Sequence, residues 1–406
     1  MMKNVYLDNN ATTQLAPEVL EEMTPYLTNL YGNASSMHTF GGQIGRKIIE
    51  AREKAAQLLG CSPEELIFTS GGTESDNLAI HSALELNPDK RHIITSRVEH
   101  PAVRAVCRYY QRKGYRLTEV AVDTRGQLDL EQLIGALDEK TAMVSIMFAN
   151  NETGVIYPID KIARIVKSKG VLFHTDAVQA VGKIPLNLAA TPIDMLSLSG
   201  HKLHGPKGIG MLYVRRGTPM APMFYGGHQE HSRRPGTENV PGIVGLGKAC
   251  ELAMEHVEKE NIYVRELRDR LETNLLQNCP NTRVNGDTIC RLPNTTNISF
   301  EYIEGEAILL LLDQLGIAAS SGSACTSGSL EPSHVLRAMG VPFTAVHGSI
   351  RFSLSRYNTQ QEIDYVIREL PAVISRLRKI SMFSPARGVD VGIPAERKPR
   401  LDVAGK

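Results

Sequence analysis

One lysine and one aspartate stand where short apolar runs give way to small and ionisable residues. Val171–Phe173 leads into His174-Thr175-Asp176, and Met195–Leu198 leads into Ser199-Gly200-His201-Lys202. Each run reads as a buried strand, which puts Asp176 and Lys202 at strand ends, where open α/β sheets form their ligand crevice. An amine held there, its pKa lowered by burial, can condense with an aldehyde to a Schiff base. A carboxylate against a pyridine nitrogen keeps that nitrogen protonated and makes the ring an electron sink. The pair points to pyridoxal 5′-phosphate, with Gln179 a donor for the ring's phenolic oxygen. Each residue alone has a plainer reading, since Asp after a strand commonly caps a helix and Lys after Gly-His is commonly solvated.

The phosphate needs its own seat. The turn Ser70-Gly71-Gly72-Thr73-Glu74-Ser75 follows the strand-like Leu66–Thr69 and opens a helix. Glycines let backbone approach a ligand closely, and the helix N-terminus presents unpaired N–H groups to an anion. The dipole contributes only about 0.3–1 kcal/mol at an exposed site, so donors are required beside Gly72, and Thr73, Ser199 and His201 are the candidates. His100, in Val98-Glu99-His100-Pro101, reads equally as a group that stacks on a ring or passes protons and as a cap before a Pro-initiated helix. Asn151, in Ala149-Asn150-Asn151-Glu152-Thr153-Gly154, follows another strand into the same crevice; its plainer reading is an Asx turn. The polar, basic stretch from Gly226 to Thr237 is either a solvated loop or a second phosphate contact across a subunit boundary.

Further along, Ser320-Ser321-Gly322-Ser323-Ala324-Cys325-Thr326-Ser327-Gly328-Ser329 surrounds one cysteine with small polar residues. Most cysteines in a globular chain are buried among apolar groups, so this setting suits a reactive, moving thiol. Arg351 sits in Ser-Ile-Arg-Phe-Ser, where strand alternation puts Ile350 and Phe352 on one face and Arg351 on the other. A guanidinium on a strand can clamp an α-carboxylate bidentately; otherwise it is a salt-bridged edge residue.

The elements that must position these groups are an alternation of strands (Leu66–Thr69, His92–Thr95, Arg116–Ala121, Ala142–Phe148, Ile209–Val214) and helices opened at Pro17, Gly45, Ser75, Pro101 and Pro158. That order predicts an α/β fold, a mainly parallel sheet flanked by helices. A long helix from Ile243 to Leu276 links it to a smaller α+β unit with strands Thr296–Phe300, Gly316–Ala319 and Ser349–Leu354. Its helices are Glu304–Gln314 and one from Thr359, which forms a capping box with Glu362. The expected division is a large cofactor-binding domain over 16–260, a small domain over 1–15 and 261–380, and a mobile tail over 381–406. With 406 residues, 42% hydrophobic content and a formal net charge of +1, the chain carries no charge excess suited to nucleic acid. It has no apolar run long enough to span a bilayer, and a cytoplasmic location is expected. The cysteines Cys61, Cys107, Cys250, Cys279, Cys290 and Cys325 lack Cys-x-x-Cys spacing, against a zinc site or a disulfide framework.

The chain resembles the cysteine desulfurases, class V aminotransferase-like members of the fold type I pyridoxal-phosphate enzymes, from Tyr6-Leu7-Asp8-Asn9-Asn10-Ala11-Thr12-Thr13 to about Leu377. The resemblance is carried by Thr69–Ser75, Glu99-His100, Ala149–Gly154, His174–Gln179, Ser197–Lys202 and Ser321–Ser329. The cysteine loop is similar to that of the group supplying sulfur to iron–sulfur clusters. Glu301–Glu306 and Ser329–His334 are most similar to the nitrogen-fixation type, and the chain after Ser381 matches no family motif. The resemblance implies a homodimer in which Lys202 bonds the cofactor, Asp176 meets the pyridine nitrogen, Gln179 the ring oxygen, and His100 stacks on the ring. Thr73, Ser199 and His201 would hold the phosphate together with Thr237 of the partner subunit. Asn151 and Arg351 would hold the substrate carboxylate. Cys325 would take sulfur from L-cysteine as a persulfide, leaving L-alanine. That sulfur would go to an iron–sulfur scaffold or other acceptor protein, toward nitrogenase maturation, with no metal in the desulfurase step beyond a transient cluster contact at Cys325. Alternatives are a selenocysteine lyase or an aminotransferase of the same fold, both disfavoured by the Cys325 loop. From other classes come a metal-dependent hydrolase on His174, Asp176, His201 and His204, and a relay that uses Cys325 only to carry a persulfide made elsewhere.

Overall fold

A computed structural model describes residues 4–321 and 332–381. The chain opens with β1 (Val5–Tyr6) and then lays down β2 (Leu66–Thr69), β3 (His92–Ser96), β4 (Arg116–Val120), β5 (Thr141–Ser145), β6 (Leu172–Asp176), β7 (Met195–Ser199) and β8 (Gly210–Val214). Strands β2 to β8 form one seven-stranded sheet in the order β2-β8-β7-β6-β5-β3-β4. Within it β8 runs antiparallel to both neighbours, β2 and β7, and every other pairing is parallel. Two reversals cancel, so β2 points the same way as β7. The carboxyl ends of β2, β3, β5, β6 and β7 therefore open on one edge, as the alternating pattern predicts.

Helices cover both faces of the sheet, and its central strands are buried accordingly: β5 and β7 at all five positions, as a parallel sheet with both faces covered requires. One layer (Gly72–Glu85 and Pro101–Arg112) packs on Ile67, Ile93, Met143, Met195 and Leu212. The other side carries the larger cluster, in which Phe68, Ile94, Val144, Phe173, Leu196 and Tyr213 meet helices that include Thr39–Leu59 and Ile159–Ser168. Helix starts differ from the expected ones by less than two turns. The second helix begins at Thr39 rather than Gly45, because the His38 imidazole accepts from Gly41 N at 3.0 Å. The helix expected from Ser75 begins at Gly72.

The helix Val240–Asn278 runs 39 residues without a break. Its first half packs Ile243, Val244, Leu246 and Leu252 into the large cluster, and its second half packs Val264, Leu267, Leu271 and Leu275 into a separate core. That second core also holds Val5 and Leu7, the inward faces of β10 (Thr295–Phe300), β11 (Ile317–Ala318) and β12 (Ser349–Ser353), and the C-terminal helix Gln360–Ile380, while β9 (Thr282–Val284) is only half-buried. Leu292 and six apolar residues between Val335 and Val346 cross to the large cluster. β12-β10-β9 is an antiparallel sheet and β1-β11 a parallel pair. The Thr359 capping box forms as expected, Glu362 N donating to Thr359 Oγ1 at 3.2 Å and Thr359 N to Glu362 Oε2 at 3.0 Å. Ile350 and Phe352 face the small core, as strand alternation predicts for Arg351's neighbours. Among the described residues no helix is long and apolar enough to cross a membrane.

Candidate active site

A cleft of about 660 Å³ opens at the common carboxyl edge of the strands, lined by Gly72, Thr73, His100, Asn151, Asp176, Gln179, Ser199, His201 and Lys202 among others. Nine separate sequence expectations thus meet on one set of walls. Asp176 is the last residue of β6, Ser199 the last of β7, and Lys202 follows in a single 3-10 turn. The Lys202 amine donates to Ala11 O at 2.7 Å and to Asn10 O.

Electrostatics sort the acids. Asp176 is 6% exposed and Asp76, also on the wall, 1%. Burial drives the Asp76 pKa far above the usual carboxylate range, and the Asp176 charge pushes it further. Burial raises Asp176 as well, but His100, Lys202 and the Val178 N–H oppose the rise. Two carboxyls in one low-dielectric pocket do not both ionise, so Asp76 keeps the proton and Asp176 is the anion, ready for a cation on the ring of a ligand. Burial lowers the pKa of His100, with the Lys202 charge acting the same way and Asp176 against it, which favours a neutral ring. Its Nδ1 accepts from Ala102 N at 3.2 Å, so His100 caps its helix, its plainer reading, and it also lines the cleft.

The Gly-Gly turn delivers the start of the Gly72–Glu85 helix to the same space. The N–H groups of Gly72, Thr73 and Glu74 have no intrahelical acceptor there. A Cβ at Gly72 would lie 2.7 Å from Val178 Cγ2, so only glycine allows the helix this close to the end of β6. His201 Nδ1 contacts Thr12 Oγ1 at 3.1 Å, and burial takes its pKa down to about 4. It therefore serves as a neutral donor or acceptor rather than a cation.

Two expected residues stand elsewhere. Thr237 is exposed and outside this cleft. The basic charge of its loop is already engaged, Arg234 with Glu74 at 2.8 Å, while Glu230 holds Arg52 at 2.6 Å. Arg351, 2% exposed, sits behind the wall, donating to Asp8 Oδ1 at 2.7 Å and to Asn151 O at 3.0 Å. A buried guanidinium requires a counter-charge, and Asp8 supplies it here in place of an open clamp. The Asx turn belongs to Asn150, whose Oδ1 accepts from Glu152 N and Thr153 N, leaving Asn151 on the wall.

Cys325 and its loop lie outside the described residues. Among the described cysteines, burial pushes the thiols of Cys61 and Cys250 up to about 12 and Cys279 up to about 11, and raises Cys107 as well. None of these four is a ready nucleophile, and the exposed Cys290 is not on the cleft wall. The side chains a metal hydrolase would need are held apart: His174 is clamped between Ser145 Oγ (2.8 Å) and Ser197 Oγ (2.9 Å), and His204 by Gln14 O (2.9 Å). No group of three or more His, Cys, Asp or Glu among the described residues is arranged for a metal ion.

Sequence reasoning missed Asp76, Lys183 and the carbonyls of Asn10 and Ala11. The run Asp8–Thr13 belongs to the stretch where the family resemblance begins, but no residue type in it marks a main-chain carbonyl as a partner for Lys202.

The donor set suits pyridoxal phosphate group by group: an amine for the aldehyde, an ionised carboxyl for the pyridinium, an amide beside the ring oxygen, and a helix N-terminus with hydroxyls for the phosphate. Residues 5–366 match the family model described as aminotransferase class-V. A cysteine desulfurase of Trichormus azollae is 61% identical over 382 residues, covering 94% of this chain and 96% of that protein. The cysteine desulfurase NifS of Azotobacter vinelandii is 55% identical over 388 residues, covering 95% and 96%. A solved NifS-like protein superposes with a TM-score of 0.87 at 42% identity, over 92% of this chain and all of that one.

Proposed function

The chain belongs to the class-V aminotransferase family, and from that premise we propose the reaction its cleft carries out. It is a pyridoxal-phosphate-dependent cysteine desulfurase, taking sulfur from L-cysteine, leaving L-alanine, and providing that sulfur for iron–sulfur cluster assembly. The observation that carries this reading is the convergence of Asp176, Lys202 and the Gly72 helix start on one cleft.

When bound, the cofactor supplies an electron sink for the substrate α-carbon. Lys202 would hold the group through Nζ, and its amine, when free, would take the substrate α-proton. Asp176 would set its charge against the ring nitrogen, which Asp76, protonated, would not contest. Gln179 would donate to the ring oxygen, His100 would stack as a neutral ring, and Gly72, Thr73, Ser199 and His201 would seat the phosphate with Thr237 of the partner subunit. Asn151 and Arg351 would hold the substrate carboxylate, Arg351 by exchanging its Asp8 partner for it. The Cys325 thiolate then attacks the cysteine sulfur: an S–S bond forms, the Cβ–S bond breaks, and its electron pair stays with the carbon fragment that is protonated to alanine.

The acceptor of the persulfide is an iron–sulfur scaffold or similar protein, and the relation to NifS favours a place in nitrogenase maturation. We place the enzyme in the cytoplasm as a homodimer, each chain divided into domains at 16–260 and at 1–15 with 261–380. The test is borohydride reduction of the cofactor-loaded protein followed by peptide mapping, with an alanine assay. A label at Lys202 and equimolar alanine and persulfide support the reading; a label elsewhere, or cysteine consumed without alanine, overturns it.

A further inference from the structure

Lys183 has no part in the site as described, yet it touches one of its members. Its Nζ donates to Gln179 Oε1 at 2.8 Å. The other end of that amide, Gln179 Nε2, donates to Asn10 O at 2.9 Å, the carbonyl that also accepts from Lys202. The two ends of a side-chain amide are nearly equal in shape, so neighbours decide which points where. An ammonium offers three donors and no acceptor, and a carbonyl only accepts. Turned over, the amide would set oxygen against the Asn10 oxygen at any pH, and NH₂ against the Lys183 ammonium whenever that amine is charged, and both contacts would repel.

The backbone is shaped to deliver this lysine. Gly182 has φ +74°, and a Cβ there would lie 2.5 Å from Leu203 Cδ2, so the chain turns at glycine just before Lys183. Lys183 and Lys202 then share the wall of a second, narrow pocket. The placement is electrostatically poor: burial first, then the Lys202 charge, pulls the Lys183 pKa down to about 7, with Arg351 adding to the fall and Glu260 opposing it. A second amine beside Lys202 needs a reason, and the Gln179 contact supplies one.

Building on the assignment of Gln179 to the ring oxygen, we propose that Lys183 is a positioning residue that sets the polarity of the Gln179 amide, so that Gln179 donates to the phenolic oxygen of the cofactor and does not accept from it. Lys183 acts through Gln179 and need not touch the cofactor.

The test reads the pH midpoint of the visible band of the pyridoxal-phosphate-loaded protein in Lys183→Met, Gln179→Leu, the double variant and Lys183→Arg, with thermal melting as a check on folding. Lys183→Met and Gln179→Leu should shift the midpoint in the same direction, each on the order of one pH unit, the worth of one hydrogen bond. The double variant should shift no further than Gln179→Leu alone, and Lys183→Arg, which keeps the donors, should stay near the parent value. An unmoved midpoint in Lys183→Met overturns the inference. So do shifts that add in the double variant, because the lysine charge would then act on the cofactor directly. If Gln179→Leu itself leaves the midpoint in place, the ring-oxygen assignment falls and this inference with it. A parent protein that develops no visible band with pyridoxal phosphate overturns the proposed function as a whole.

Discussion

Replacing Asp8 by alanine tests how the substrate carboxylate is received. The Arg351 side chain is 3% exposed and that of Asp8 19%, with the two groups 2.7 Å apart. Removing one partner of a fully buried pair costs about 3–5 kcal/mol, because the charge left behind is neither hydrated nor matched. Water can reach the space Asp8 leaves, so we expect a smaller loss, about 2–3 kcal/mol. At roughly 2–4 °C per kcal/mol for large domains, the melting midpoint should fall by about 4–12 °C. If Arg351 also receives the carboxylate of the substrate, a ligand carboxylate can occupy the vacated place. L-Alanine, the product, should then raise the midpoint of Asp8→Ala more than that of the parent protein, by the mass-action gain of a ligand that binds only the folded state. Scanning calorimetry of both proteins across an alanine series decides the matter. A variant that melts with the parent refutes the energetic reasoning about the pair, and equal protection of both proteins refutes Arg351 as the carboxylate site.

Gly182→Ala should destabilise the chain by about 2–4 kcal/mol in denaturant unfolding, from left-handed backbone strain and from overpacking against Leu203. Acid should weaken the fold partly through His204. Its pKa is near 6.5 unfolded and lowered to about 4 when folded, chiefly by burial and next by Arg356, so between those values only the unfolded chain takes the proton and stability falls as pH falls. His204→Asn, tolerated at φ +61° because Asn adopts that region readily, should flatten the slope between pH 6.5 and 4 by about one proton, roughly 1.4 kcal/mol per pH unit, as read by urea titrations. Cys325→Ala should keep the cofactor's visible absorption and lose persulfide formation from cysteine, as read by thiol-specific mass spectrometry.

Much of the cleft was legible because its parts are local. Asp176 ends its own strand and Lys202 follows one within a few residues, and the Gly-Gly turn sits directly between a strand and a helix, so periodicity raises them as candidates and the resemblance chooses among their readings. The antiparallel β8 was readable as a strand but not as the partner that separates β2 from β7, since pairing is decided by tertiary packing. The contacts that complete the site were out of reach for the same reason. Asp8 meets Arg351 across 343 positions, and the carbonyls of Asn10 and Ala11 meet Lys202 across 192 and 191. Lys183 follows a glycine after an apolar run and looks like a solvated residue until the fold turns it inward. Asp76 lies in a helix interior, where an acid is unremarkable by pattern, and its burial comes from the sheet beneath it.

The segment from Leu7 to Thr13 precedes by hundreds of residues the small sheet that it binds. Asn9 Nδ2 reaches Ser353 O across 344 positions, and Asn10 Nδ2 reaches Thr295 across 285. A nascent chain that has already laid down the seven-stranded sheet therefore leaves the carbonyls that steady its reactive amine unanchored until the small sheet has been synthesised and has captured their segment. Loops of that length close slowly, so vitamin capture should follow synthesis of the small sheet rather than precede it.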